Sequence, residues 1–142
     1  MTHSKYRKVY ETQNHLNAEE ELAQYGAFKW DCKMRKQDKF NQFDYVAIRN
    51  NKVAAFIELR CRSNEMDAYP TCFITTNKLS AAHSMHMATG LPILFLVGWS
   101  DKTGYADLTK QYPVTIGGRT DRNDAADVEA VAEIPISEFK LL

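Results

Sequence analysis

Two apolar runs flank the dipeptide Asn50-Asn51, over residues 44–49 and residues 53–62. Asn tolerates positive φ angles, so this dipeptide predicts a tight turn between two antiparallel strands. Apolar residues occupy both faces of each run, which is typical of strands that are covered on both sides. We therefore predict a β-hairpin near the centre of a sheet, and the rest of the chain has to supply a layer for each face.

The segment before the hairpin predicts one helix and one strand. Residues 17–20 read Asn-Ala-Glu-Glu, a capping pattern that favours a helix over residues 18–25, ending at Gly26. Residues 28–35 alternate strictly between apolar and charged side chains, which is typical of a half-buried strand.

The segment after the hairpin predicts a second helix over residues 76–89 and a buried strand over residues 92–99. A short strand is expected at residues 105–108. The C-terminal extension, residues 109–142, is expected to hold a long loop and an edge strand, because Pro135 suits an edge. The resulting order is αβββαβ, a single α/β domain with a mixed sheet, a core over residues 17–108, and that extension.

The composition restricts the function more than it defines it. The chain has 142 residues, no net charge and three cysteines without a short paired spacing. This size suits one domain, and the cysteine pattern predicts neither a disulfide framework nor a zinc site. The polar N-terminus and the lack of a long apolar run predict a cytoplasmic protein that is not in a membrane.

Asp44 and Glu58 are the main candidate site residues. If the hairpin loop has three residues, 50–52, the two acids lie directly opposite one another with Cβ atoms about 5 Å apart. A two-residue loop would turn them to opposite faces. Two carboxylates among apolar neighbours favour a bound divalent cation, and the alternative is that Glu58 pairs with Arg60 or Arg62.

Glu21 is a candidate third carboxylate. It shares a helical stripe with Ala18, Leu22 and Tyr25, so it is expected to reach towards the sheet. An edge position with an exposed carboxylate is the alternative.

Asp44, followed by Glu58-Leu59-Arg60 in an αβββαβ order, resembles the PD-(D/E)XK nuclease superfamily, and especially its small phage-encoded members. The resemblance extends over FDYVAIRNNKVAAFIELRCRSNEMDAYPT, ITTNKLSAAHSMHMATGLPILFLVGW, GGRTDR and IPISEFKLL. It implies a restriction-endonuclease-like fold and Mg²⁺- or Mn²⁺-dependent hydrolysis of DNA phosphodiester bonds. Asp44 and Glu58 would bind the metal, Glu21 would assist, and a homodimer is one expected assembly.

The chain departs from the superfamily pattern at Arg60, where a Lys is usual. Arg stays protonated and does not replace a catalytic Lys simply. Lys78 lies on the helical stripe of Ala81, Ala82 and Met85, so it is expected to face the sheet and to supply the missing amine. If it does not, a second hypothesis gains weight: a catalytically impaired binding module that binds nucleic acid or inhibits a host protein.

Basic and aromatic residues near the predicted strands are candidate nucleic-acid contacts, and the alternative is an ordinary solvated surface. These candidates are Lys33, Arg35, Lys36, Arg62 and Tyr69, within a wider basic set that adds Lys39, Arg60, Arg119 and Arg122. His83 and His86, three residues apart on the second predicted helix, are a weaker candidate metal pair.

Overall fold

The computed structural model describes residues 15–118 and 128–142. They form two helices and nine strands, with single turns of 3₁₀ helix at Met66–Ala68 and Ile136–Glu138. The helices are α1 (His15–Trp30) and α2 (Thr76–Thr89), and the strands are β1 (Lys33–Lys36), β2 (Tyr45–Arg49), β3 (Lys52–Cys61), β4 (Thr71–Thr75), β5 (Ile93–Gly98), β6 (Thr103–Asp107), β7 (Val114–Gly118), β8 (Val128–Pro135) and β9 (Lys140–Leu141).

Six strands form a mixed sheet in the order β1-β2-β3-β5-β6-β9. The hairpin of β2 and β3 lies inside this sheet, β3 is parallel to β5, and α2 lies in the crossover between them. The prediction of a mixed α/β sheet with an αβββαβ core is confirmed. In the described part of the chain, no helix is long and apolar enough to cross a membrane.

The two faces of the six-stranded sheet bury two separate apolar clusters. On one face, Leu22 and Ala23 of α1 pack with Ile57 and Leu59 of β3. On the other face, a larger cluster combines α2 with the second sheet. Because successive side chains of a strand point to opposite faces, Glu58 lies on the face away from α1.

The predicted end of the first helix is wrong. Helix α1 begins at His15, so Asn17 is not its N-cap, and it continues past Gly26 to Trp30. Gly26 is buried, and a Cβ atom there would lie 3.0 Å from Cδ2 of Leu96. The glycine therefore permits close packing of the helix on the sheet. Only residues 33–35 of the predicted strand are extended, within the observed strand Lys33–Lys36.

A second sheet, in the order β4-β8-β7, was not predicted. Strand β8 was expected at an edge but lies in the middle. Pro135 is acceptable because β7 pairs only with residues 128–132, so one side of the strand is unpaired at the proline. Strand β7 falls inside the stretch that was predicted as a loop, and residues 119–127 of that stretch lie outside the described residues.

Candidate active site

The hairpin turns through two residues, not three. Arg49 pairs with Lys52, and Asn50 and Asn51 have φ angles of 54° and 63°. Positive φ at both positions is the geometry of a type I′ turn, which matches the twist of the flanking strands. The supposition of a three-residue loop is therefore wrong, and a regular ladder from this turn would place Asp44 and Glu58 on opposite faces.

A β-bulge restores the register before the ladder reaches the acids. Ile48 pairs with Val53, but the next residue of β2, Ala47, pairs with Ala55. Ala54 is thus the extra residue on β3. One extra residue reverses which side chains face which side of the sheet, so the bulge cancels the effect of the short turn.

Beyond the bulge, Tyr45 pairs with Ile57. Asp44 precedes Tyr45 and therefore lies level with Glu58, on the same face. The backbone N–H of Leu59 donates a hydrogen bond of 3.0 Å to Oδ2 of Asp44. The predicted juxtaposition of the two acids is present, although the turn that was thought to produce it is not.

Glu58 is a buried carboxyl group with an unsatisfied oxygen. The residue is 6 % exposed, and its Oε1 accepts no hydrogen bond from the described residues. Nζ of Lys78 lies 3.5 Å from that oxygen, and Nη2 of Arg60 lies 4.0 Å from Oε2. Burial, followed by the charge of Asp44, raises the pKa of Glu58 to about 7, although Lys78 and Arg60 oppose the shift.

Helix α2 positions Lys78 at the acids. Thr75 caps the helix and accepts a 3.2 Å hydrogen bond from the backbone N–H of Lys78, which fixes the first turn. The ammonium group donates to the carbonyl oxygen of Gln42 and lies 5.4 Å from the ring centroid of Phe43. Its location agrees with the helical stripe in the sequence, and its role stays a prediction.

Glu21 is not brought to the acid pair by the contacts of the described residues. Helix α1 packs on the opposite face of the sheet, and the charges that act on Glu58 come from other elements. Glu19, three residues before Leu22 and four before Ala23, lies on the buried stripe and helps to raise the pKa of Cys61.

The candidate nucleic-acid contacts lie in three places. Arg35 pairs with Val46, so Arg35 and Lys33 share the face of Asp44, whereas Lys36 pairs with Tyr45 and points to the other face. Arg62 and Tyr69 line a cavity further along the Glu58 face. Arg119 and Arg122 lie outside the described residues.

The histidines of α2 have backbone partners. Nε2 of His83 lies 2.9 Å from the carbonyl oxygen of Lys110, and Nδ1 of His86 lies 2.8 Å from that of Leu91. Each ring is therefore held by a different loop. This arrangement supports a structural role for both residues rather than a shared metal.

The acid pair fits a hard divalent cation. Carboxylate oxygens are the ligands that Mg²⁺ and Mn²⁺ prefer, and Oε1 of Glu58 is a buried oxygen whose contact with a cation is the 3.5 Å ion pair with Lys78. Like charges at Asp44 and Glu58 also make a cation favourable between them. A second acidic group, formed by Glu65, Asp67 and Asp101, is exposed and separate from this pair.

A mixed sheet that presents an acid pair from adjacent strands, with a Lys and an Arg beside it, places the protein in the PD-(D/E)XK class of nucleases. The chain belongs to a phage family of that class, because a family model described as "Phage putative PDDEXK endonuclease" matches residues 5–142. A search among curated proteins found no match. Among solved structures, the chain is similar to the Holliday junction resolvase Hjc of Archaeoglobus fulgidus, with 11 % identity, a TM-score of 0.46, and coverage of 80 % of this chain and 93 % of that one.

Proposed function

We propose that the protein is a phage-encoded, divalent-metal-dependent nuclease that hydrolyses phosphodiester bonds of DNA in the cytoplasm of a host cell. The observation that carries this proposal is the buried carboxyl group of Glu58 beside Asp44, whose Oε1 has only an ion-pair contact of 3.5 Å with Nζ of Lys78. Burying Glu58 beside a second, half-buried carboxylate at Asp44 is unfavourable unless a cation joins them. Membership of the phage PDDEXK family gives the same reaction class.

Asp44 and Glu58 would hold Mg²⁺ or Mn²⁺ through their carboxylate oxygens. Such an ion, when bound, lowers the pKa of a water nucleophile and stabilises charge on the phosphoryl oxygens. The hydrogen bond from Leu59 N–H fixes Asp44, and the β3 backbone fixes Glu58, so both ligands are held by rigid elements. This rigidity favours a defined geometry over a loose acidic surface.

Two cations of the chain complete the site. Lys78 is 27 % exposed and has three donors, so it can orient a water molecule or bind a non-bridging phosphate oxygen. Arg60 is 42 % exposed and, because its fork suits phosphate geometry, is placed to hold the DNA backbone. Lys33 and Arg35, on the same face, extend a basic path towards the edge of the sheet.

A second candidate function is a binding module without catalysis. Lys78 and Arg60 both approach Glu58, so the chain itself partly neutralises the carboxylate. Arg60 in place of Lys and the absence of net charge on the chain favour this alternative. The two functions differ in whether the acid pair binds a divalent ion at millimolar concentration.

The decisive measurement is cleavage of supercoiled, linear and single-stranded DNA by the wild type, Asp44→Ala and Glu58→Gln, with Mg²⁺ or Mn²⁺. We expect each variant to lose at least about 10³-fold in rate, since the ligands supply several kcal/mol of charge stabilisation. Isothermal titration with Mn²⁺ should show binding to the wild type and none to Asp44→Ala.

Glu138→Gln is the matched control, because it removes an exposed carboxylate that pairs with Lys110. This pair is distant in sequence from Asp44 and Glu58. It should cleave like the wild type. Equal residual nicking by the wild type and Asp44→Ala would overturn the nuclease proposal. Absence of Mn²⁺ binding together with intact DNA binding would establish the module instead.

A further inference from the structure

A cavity of 410 Å³ lies further along β3 than the acid pair, and its lining includes none of Asp44, Glu58 and Lys78. Arg62, at the end of the Glu58 face of β3, stands at one side of it. Arg62 lies four positions after Glu58, which is roughly 13 Å along an extended strand. The charges of both Arg62 and Arg60 act on the Cys72 thiol in the cavity wall, so Arg60 lies between the acid pair and the cavity.

The walls of the cavity are aromatic and its rim is polar. Tyr69 and Phe73 line it and are 63 % and 44 % exposed, whereas Trp99 lies underneath and is 2 % exposed. Asn64 and Arg62 bring amide and guanidinium groups to the rim. Partly exposed rings above an apolar base suit a flat heterocycle, which stacks on aromatic side chains whatever its identity.

The charged residues around the cavity favour a phosphate near Arg62 and disfavour one near Asn64. Among the described residues, Arg62 has no carboxylate within ion-pair distance, and its Nη2 lies 3.9 Å from Sγ of Cys72. Its charge is therefore available to a backbone phosphate between the cavity and Glu58. Glu65 and Asp67 follow Asn64 in the chain, and their charges disfavour a phosphate near that residue.

We propose that this cavity binds one unpaired nucleobase of the DNA strand whose phosphate lies at Asp44 and Glu58. This inference rests on the proposed function and narrows its substrate class. A base inside a duplex is stacked and paired, so it reaches a cavity in the protein only when it is unpaired or flipped out. The substrate is then DNA with an unpaired position near the cut, such as a flap, bubble, junction or single strand.

The test uses the full chain and a fluorescently labelled duplex that contains a short unpaired bubble, with the fully paired duplex as comparison. In metal-free buffer, the wild type should bind the bubble about ten-fold more tightly, within the range measured for stacking of one base on an aromatic side chain. Tyr69→Ala should lose this preference and Tyr69→Phe should keep it. Phe28→Ala is the matched control, because Phe28 is 81 % exposed on α1, across the sheet.

The cleavage arm replaces single bases of the bubble by abasic sites, one at a time. Removal of one base should slow the wild type about ten-fold and leave the rate of Tyr69→Ala unchanged. Equal binding of bubble and duplex by the wild type, with no abasic effect on cleavage, would overturn the base site and assign the cavity to another occupant. Base-dependent binding without metal-dependent cleavage would uphold the cavity and overturn the nuclease, so the two failures are distinguishable.

Discussion

The two ends of the β2–β3 hairpin differ in how they determine the pairing of residues. At the turn end, Asn50 and Asn51 specify a two-residue loop through their own backbone preferences, and they are exposed. At the acid end, side-chain burial determines the pairing, because Tyr45 and Ile57 are buried on one face of the sheet and Glu58 on the other. The bulge at Ala54 lies between the ends. It makes the register set by the two-residue turn compatible with the register that burial requires at the acids. A turn can thus be correctly located in the sequence while the register it implies is wrong.

Substitution of Lys78 is expected to give the largest difference in cleavage rate between variants at the acid end and variants at the turn end. Lys78→Ala should lower the rate of metal-dependent cleavage by about 10²- to 10³-fold, the usual effect of removing one preorganised donor from an active site. Lys52→Ala, at the turn end, should leave the rate within about two-fold. Single-turnover cleavage measures both. Rates that are equal for Lys78→Ala and the wild type would remove Lys78 from the site and leave Arg60 as its cation.

The raised pKa of Glu58 predicts a pH-dependent stability that originates at the acid end. Because its pKa is about 7 in the folded chain and ordinarily 4.5, the folded state binds more protons between these values. Unfolding free energy therefore falls as pH rises through this window, by at most on the order of 3 kcal/mol at 1.36 kcal/mol per pKa unit. Below about pH 4.5 Glu58 contributes no pH dependence.

Urea unfolding of the wild type and Glu58→Gln, with a chelator present and from pH 4 to pH 8, measures this effect. Glu58→Gln should gain stability relative to the wild type as pH rises through the window. Asn51→Gly, at the turn end, removes no titratable group and should run parallel to the wild type throughout. Parallel curves for the wild type and Glu58→Gln would show that the carboxyl group is solvated and would weaken the case for a buried metal ligand.

Removal of the bulge residue is expected to have the smallest effect on cleavage. Deleting Ala54 makes the Ile48–Val53 and Ala47–Ala55 pairs consecutive, so Asp44 should still face Glu58 and cleavage should stay within about two-fold. Adding a Gly after Asn51 to the same deletion moves the extra residue into the turn and should also preserve cleavage. Loss of cleavage in both variants, with circular dichroism of the folded chain unchanged, would mean that the bulge itself shapes the site.

Local patterns predicted the αβββαβ order well, and they failed where packing overrode them. The alternation from Phe28 to Met34 indicated a strand, but Phe28 and Trp30 belong to α1, which continues because Gly26 lets the helix approach Leu96. Strand β8 was placed at an edge on account of Pro135, because nothing local revealed that β4 and β7 would flank it. Pairing partners distant in sequence leave no periodic signal.

The acid pair shows a related limit of prediction. Residue types and spacing identified Asp44 and Glu58, and the stripe of Lys78 indicated the side of α2 that faces the sheet. The role of Glu21 on the first helix stays a prediction, because no contact among the described residues brings this side chain to the acid pair.

The sequence by itself determined the hairpin, the order of the core elements, the acids and the Lys, because turn preferences, hydrophobic periods and residue chemistry are local properties. Only the tertiary structure decided that Ala54 would bulge, that Glu58 would be buried with Oε1 unsatisfied, and that Lys78 would reach it. It also decided that Arg62 and Tyr69 would share a cavity with Trp99. These outcomes depend on which faces must be buried together, and burial is a property of the whole chain.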